Sequence, residues 1–184
     1  NIQRAIDKGG GAGAENLDEI RYEGFGPGGV GVIVECLTDN KNRTAGEVRA
    51  AFTKSGGNLG ETNSVSFSWK KQGEVRYALA SAGEDAMLEA AIEAGADDCA
   101  VEDEHHVITC EMAALVAVSQ ALAKKFGDPT SAKFVWRTEI AIPVEGDNAE
   151  TLMKLLDQLD DLDDVQDVYS NEDISEAELA RLSA

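Results

Sequence analysis

Two hydrophobic periods alternate along this chain, and the switches between them outline its elements. Ile2, Ala5 and Ile6 share one face of a helical end over residues 1–8, and Gly9-Gly10-Gly11-Ala12-Gly13 ends it in a flexible joint. Residues 17–25 read as a strand. Residues 30–37 do so more strongly, because Val30, Val32, Ile33 and Val34 are β-branched. Gly26-Pro27-Gly28-Gly29 between them combines a preset φ with residues that accept positive φ, so the two strands form a hairpin. A helix is predicted over 45–55, with Thr44 and Glu47 as a capping box, Val48, Ala51 and Phe52 inward, and Gly56-Gly57 at its end. Residues 65–69 alternate and predict another strand.

From Glu74 a self-contained unit begins. Val75, Tyr77 and Leu79 alternate as a strand. Ser81 and Glu84 match a second capping box, Met87, Ala90, Ala91 and Ala94 follow at helical spacing, and Gly95 stops the helix. Residues 99–102 and 107–110 form a hairpin across Glu104-His105-His106. Leu115, Val116, Val118 and Leu122 mark a second helix, and 133–142 the last strand. The order is βαββαβ, the ferredoxin-like arrangement. Leu152, Leu155, Leu156 and Leu159 then give an amphipathic helix opened by Asp147 or Asn148. A short strand over 165–169 and a helix over 176–182 behind Ser175 close the chain. These closing elements complete the sheet that the first hairpin leaves unfinished. The expected class is α+β: a ferredoxin-like unit over 73–143, inserted into a ββαβ…αβ domain formed by 14–72 and 144–184. Residues 1–13 read as the end of a preceding piece and its joint, since the chain starts at Asn1 in mid-pattern.

Charge changes this picture most. The chain of 184 residues carries a net −19, unlike the usual basic nucleic-acid-binding domain. Residues 41–71 alone are net +4, with Lys41, Arg43, Arg49, Lys54, Lys70 and Lys71 against Glu47 and Glu61, which leaves −23 elsewhere. A positive island therefore sits on an acidic body. No apolar run approaches the roughly 20 residues of a membrane span. Cys36, Cys99 and Cys110 are widely spaced among apolar neighbours, form no CxxC pair and read as reduced core thiols of a cytoplasmic protein.

Most motifs reduce to structure. Gly24-Phe25-Gly26-Pro27-Gly28-Gly29 fits the letters of GxGxxG, but a β-branched strand follows where a dinucleotide site needs a helix N-terminus. His105 and His106, beside Asp103 and Glu104, are adjacent and point to opposite faces of a strand, so a polar hairpin tip is the better reading than a metal site. Asp157, Asp160, Asp161, Asp163, Asp164 and Asp167 lack the glycine and glutamate of a calcium loop and read as a solvated acidic rim. No serine or cysteine comes with a matching histidine and acid, so no enzyme, small-molecule substrate, cofactor or metal is expected. Asp39-Asn40-Lys41-Asn42-Arg43-Thr44, at a strand end and leading into a helix, is different. Its cations beside free helical amides suit phosphate, with Asn42 and Thr44 adding hydrogen bonds; a capping loop with incidental cations fits equally. Arg49, Lys54 and Asn58 extend this candidate surface, and Tyr22 is a candidate stacking face or a core residue.

The motifs Tyr22-Glu23-Gly24-Phe25-Gly26-Pro27-Gly28-Gly29, Glu35-Cys36-Leu37-Thr38-Asp39-Asn40, Asn42-Arg43-Thr44, Glu47-Val48-Arg49 and Gly56-Gly57-Asn58-Leu59-Gly60 resemble the YebC/PmpR family, which includes the mitochondrial translational activator of cytochrome oxidase subunit one. Weaker likeness continues through 89–96 and 155–169. The resemblance implies a helical, Lys/Arg-rich N-terminal domain that this chain lacks, followed by two α+β domains with the third inserted in the second. It also implies a cytoplasmic, non-enzymatic regulator of gene expression, a DNA-binding transcriptional regulator or a ribosome-associated translation factor that binds RNA. Independently of family, the acidic body suits a basic protein partner such as a ribosomal protein.

Overall fold

The computed structural model describes residues 16–184; the helical end and joint expected over 1–13 lie outside the described residues. In chain order the strands are β1 (Asp18–Phe25), β2 (Gly31–Thr38), β3 (Asn58–Leu59), β4 (Lys70–Ala78), β5 (Asp98–Glu102), β6 (His105–Cys110), β7 (Ser131–Arg137), β8 (Ile142–Pro143), β9 (Val165–Ser170) and β10 (Glu172–Asp173). The helices are α1 (Lys41–Lys54), α2 (Glu84–Ala94), α3 (Leu115–Phe126), α4 (Gly146–Asp161) and α5 (Glu176–Leu182). The class is α+β. The described residues divide into one compact unit of 16–69 with Thr138–Ala184 and another of Lys70–Arg137.

In the first unit the sheet order is β3-β1-β2-β9, with every pairing antiparallel. β1 and β2 pair from Asp18↔Thr38 to Phe25↔Gly31. Their turn closes through Gly26 N–H donating to Val30 O at 2.8 Å. Gly28 adopts φ 81°, and a Cβ there would meet Val144 Cγ1 at 2.7 Å, so both backbone and space require glycine. Val30, Val32 and Val34 from the sheet, Val48 and Phe52 from α1, and Leu152, Leu155 and Leu159 from α4 form one buried core. The short β8 and β10 pair in parallel beside it. Ser175 caps α5, its hydroxyl accepting from Glu178 N–H at 3.2 Å.

The second unit orders its strands β5-β6-β4-β7, all antiparallel, the ferredoxin-like sheet expected of βαββαβ. Val75, Tyr77, Ile108 and Cys110 pack against Met87 and Ala91 of α2 and Val118 and Leu122 of α3. Tyr77 hydroxyl donates to Gly127 O at 2.8 Å, and its ring meets Phe126 edge-on at 5.9 Å. Gly95 ends α2 at φ 98°.

Several local expectations change. α1 starts at Lys41, four residues before the predicted start, because Asn40 is the N-cap and accepts from Arg43 N–H at 3.1 Å. Thr44 and Glu47 therefore form no capping box. Residues 66–68 make a 3-10 turn rather than a strand, since the Val65 and Ser66 amides are taken by the Glu23 carboxylate. The N-cap of α2 is Gly83, without a side-chain bond, and Ser81 lies in a preceding turn. α4 is preceded by Glu145 as N-cap and opens at Gly146, ahead of Asp147 and Asn148. β7 stops at Arg137, and residues 142–143 form the separate β8.

The β5–β6 hairpin turns at Asp103-Glu104, not at the histidines. Both turn residues hold positive φ, 49° and 60°, which glycine adopts without strain. Replacing Glu104 by glycine is expected to stabilise the protein by about 0.5–1 kcal/mol. Urea denaturation followed through tryptophan fluorescence checks this.

Candidate nucleic-acid interface on helix α1

The chain rises out of β2 at Thr38 and enters α1 three residues later, so the β2–α1 corner carries Asp39, Asn40, Lys41, Asn42, Arg43 and Thr44 in close succession. Asn40 N–H donates to Thr38 Oγ1 at 2.9 Å, and Thr44 Oγ1 lies 2.8 Å from the same atom. The residue that organises the corner comes from far along the chain. Asp164, just before β9, receives Arg43 Nε–H at 3.1 Å, Arg43 Nη2–H at 2.8 Å and the Thr44 hydroxyl at 2.7 Å. Arg43 Nη2 also donates to Asp39 Oδ1 at 2.9 Å, and Asp164 O accepts from Leu37 N–H at 2.8 Å. Burial pushes the Asp164 carboxyl up, but the hydrogen bonds from Arg43 and Thr44 outweigh it and hold it below the usual aspartate value.

This geometry divides the predicted site. Arg43 and Thr44 are committed to Asp164, and Thr44 is buried. Asp164 is itself buried, not part of a solvated acidic rim. Tyr22 packs partly buried against the core of the first unit rather than standing out as a stacking face. Lys41, Asn42, Arg49 and Lys54 remain exposed on α1. Lys41 has Asp18 at 4.0 Å, a separation with little energetic weight at the surface. Asn42 and Arg49, seven residues apart, share the stripe turned away from the buried Thr44, Val48, Ala51 and Phe52. The first turn of α1 holds no acid. Asn58 is exposed in β3, opposite Phe25. Lys70 and Lys71 belong to the second unit: Lys70 pairs with Glu111 at 2.8 Å, and Lys71 lies 5.2 Å from the Trp136 ring centre. The positive island of the sequence is thus shared between a helix of the first unit and a strand of the second.

Sequence reasoning missed the buried charges. Glu23 is fully buried in β1 and accepts from Asn63 N–H at 3.0 Å, Val65 N–H at 3.0 Å, Ser66 N–H at 2.6 Å, Ser66 Oγ–H at 3.0 Å and Arg21 Nε–H at 2.9 Å. Burial alone would raise its pKa; these donors, led by the Ser66 and Asn63 amides, bring it down to about 2. β1 is otherwise exposed or half-buried apart from Gly24 and also carries Asp18 and Glu19, so nothing in its sequence singles out Glu23. In the second unit Glu74 receives Arg76 at 2.8 Å and Arg137 at 3.1 Å, and Arg137 also binds Glu102 at 2.8 Å. His106 is buried in β6, with Nε2 2.8 Å from Ala82 O, where the sequence suggested a polar tip.

The chemistry available is correspondingly limited. Among the described residues no three His, Cys, Asp or Glu side chains are grouped to hold a metal ion. Burial pushes the Cys36 thiol up to about 12, with Asp164 and Glu35 adding to the shift, so it is a poor nucleophile. The sheet face of the second unit opposite its helices carries Gln72, Glu74 and Arg76 on β4 and Val107 and Thr109 on β6. None of these five is an aromatic platform of the kind that stacks RNA bases on ferredoxin-like sheets.

Fold and site together define a two-unit α+β protein that presents a cationic helix from an acidic body. The family described as "TACO1/YebC second and third domain" matches residues 17–172. A relative from Maricaulis maris, named a probable transcriptional regulatory protein, is 56% identical over 188 residues, covering 99% of this chain and 74% of its own. The crystal structure of a conserved hypothetical protein from Aquifex aeolicus matches with a TM-score of 0.83 at 38% identity, over 88% of this chain and 67% of that one. The chain belongs to the TACO1/YebC family.

Thr44→Val keeps the shape of the buried residue and removes a donor to Asp164, so a loss of about 1–2 kcal/mol in unfolding free energy is expected from chemical denaturation. The Glu23 carboxyl has a folded pKa below its unfolded value. Its contribution is therefore complete above about pH 4.3 and is lost as pH falls towards 2. Thermal midpoints measured across that window should fall less steeply for Glu23→Gln than for the wild type, from a lower starting value.

Proposed function

We propose that this chain is the acidic two-domain part of a non-enzymatic transcriptional regulator that binds DNA in the cytoplasm and needs no cofactor or small-molecule substrate. One observation carries the reading: Lys41, Asn42, Arg49 and Lys54 stand exposed along a single helix whose sole acid is Glu47, in a chain of net −19. Lysine and arginine on α1 neutralise backbone phosphates, and Asn42 donates to a phosphate oxygen beside the positive end of the helix dipole. Such contacts position a protein on a duplex without reading its sequence. The acidic remainder repels phosphate and so confines contact to that face. The Maricaulis relative's name supports the transcriptional assignment.

A second reading draws on the charge itself. A body of net −19 is repelled by bare nucleic acid and attracted by basic proteins, which suits a translation factor seated on the ribosome. Among the described residues no helix is long and apolar enough to cross a membrane.

Binding of this chain to a short DNA duplex, to single-stranded RNA and to ribosomes, each over a salt series, separates the two. The transcriptional reading predicts duplex affinity that falls steeply with salt. In a combined Lys41→Ala, Arg49→Ala and Lys54→Ala variant, the slope of log affinity against log salt should shrink by about 2–3. Duplex binding unchanged in that variant, or absent altogether, contradicts it; binding to ribosomes alone selects the second reading. Arg43→Ala is unsuited to this test, because it disrupts the corner rather than the surface.

A further inference from the structure

α2 has two faces of unlike character. Met87, Ala90, Ala91 and Ala94 pack inward on the core of the second unit. Asp85, Leu88, Glu89 and Ile92, spaced i, i+3, i+4 and i+7, form the opposite stripe, and all four are exposed. Ile92 is 63% and Leu88 40% exposed, and at i, i+4 they are direct neighbours on the helix surface. The charges on this helix are all of one sign: Glu84, Asp85, Glu89 and Glu93, with no lysine or arginine. Asp85, Glu89 and Glu93 stand at successive i, i+4 positions, where like charges destabilise a helix. The last turn holds no cation, although the negative end of the helix dipole favours one, and Asp97 and Asp98 follow. Lys125 of α3 donates to Glu93 at 2.8 Å; among the described residues no cation is bonded to Asp85 or Glu89. The remaining cations of the unit belong to other strands. In the sheet order β5-β6-β4-β7, α2 packs on β5 and β6 and α3 on β4 and β7, while Lys70, Lys71, Arg76, Lys133 and Arg137 all lie on β4 and β7. With every one of them counted the second unit is still net −5, and residues 79–126 are net −8.

We propose that this outer stripe of α2 is the docking surface for a cationic amphipathic helix of a protein partner. Leu88 and Ile92 pack against the partner's apolar stripe, and its lysines or arginines pair with Asp85 and Glu89. The surface belongs to the second unit, and the inference does not depend on what α1 binds. Two observations select the occupant. The like-charge ladder costs the isolated chain stability, and a helix of opposite charge turns that repulsion into attraction. Exposed aliphatic residues at i, i+4 between acids also match recognition of a helix through regularly spaced anchors. Nucleic acid and anionic lipid surfaces carry the wrong sign. A second copy does not fit either, because the cationic helix of this chain, α1, commits its apolar side with Val48, Ala51 and Phe52 to its own core.

The test is selection on this chain from a displayed library of random peptides of about 18 residues, five helical turns. Counter-selection uses Ile92→Ala, and fluorescence anisotropy then measures the enriched peptides. The expected peptides carry lysine or arginine, with apolar residues at helical spacing. They should bind Ile92→Ala and Glu89→Lys each about tenfold more weakly than the wild type. They should bind Asp157→Lys, the same kind of charge change on the exposed surface of α4, as tightly as the wild type. Glu89→Lys should leave the thermal midpoint equal or higher, because it breaks the like-charge ladder. A lower midpoint overturns the proposal by making Glu89 a structural residue. Equal weakening by Asp157→Lys and Glu89→Lys overturns it as well, since bulk charge then explains the binding. So do enriched peptides that are neutral or acidic, or whose binding ignores Ile92. Concentration-dependent self-association in sedimentation, lost in Ile92→Ala, assigns the stripe to a second copy and equally overturns it.

Discussion

One carboxylate, that of Asp164, joins the two halves of the first unit. The chain leaves this unit after Trp69 and re-enters it at Thr138, so its core is assembled from segments with a complete second unit between them. Asp164 follows α4 and precedes β9, yet its side chain is bonded to Arg43 and Thr44, and its carbonyl to Leu37. Head of helix, end of strand and returning segment thus meet at a single residue. β9 then pairs with β2, with a register shift at Glu35/Cys36 next to the clamp. A buried aspartate without these donors would be a liability, since an uncompensated charge in the interior costs far more than a surface ion pair contributes.

The clamp also decides which charges are available to a partner. Arg43 has the chemistry for phosphate, a planar fork beside a helix N-terminus, but Asp164 and Asp39 already occupy that fork. Lys41, Asn42, Arg49 and Lys54 stay exposed on α1. Glu23 acts in the same manner elsewhere: its carboxylate gathers the amides of residues 63–66 and so fixes the turn that exposes Phe67. Both buried acids shape loops whose neighbours face solvent. In both places interior electrostatics fixes the loop that presents its neighbours to solvent.

Much of this architecture was legible in the residues. Hydrophobic periodicity and the Gly26–Gly29 turn identified the opening hairpin, and the alternation of periods after Glu74 identified βαββαβ, because these signals are local. The failures share a cause. Asn40 and Thr44 both satisfy the letters of an N-cap, and what separates them is a bond from Thr44 to a residue 120 positions away. Residues 65–69 alternate like a strand, but the Val65 and Ser66 amides are claimed by a carboxylate about 40 positions earlier. Asp164 sits in a run of aspartates and looks solvated until the fold buries it. Likewise residues 41–71, net +4, read as one stretch, and the division of the chain after Trp69 assigns them to two units. Pairings across such distances leave no trace in spacing or composition.

The most direct measurement is a double-mutant cycle on Arg43 and Asp164, with unfolding free energies of Arg43→Ala, Asp164→Ala and the combined variant. If the clamp holds the first unit as described, each single change destabilises the protein and the combined loss is well short of their sum, since the second substitution removes an interaction already gone. Strictly additive losses would mean that the two side chains act independently, and Arg43 would return to the set of cations free to meet a partner.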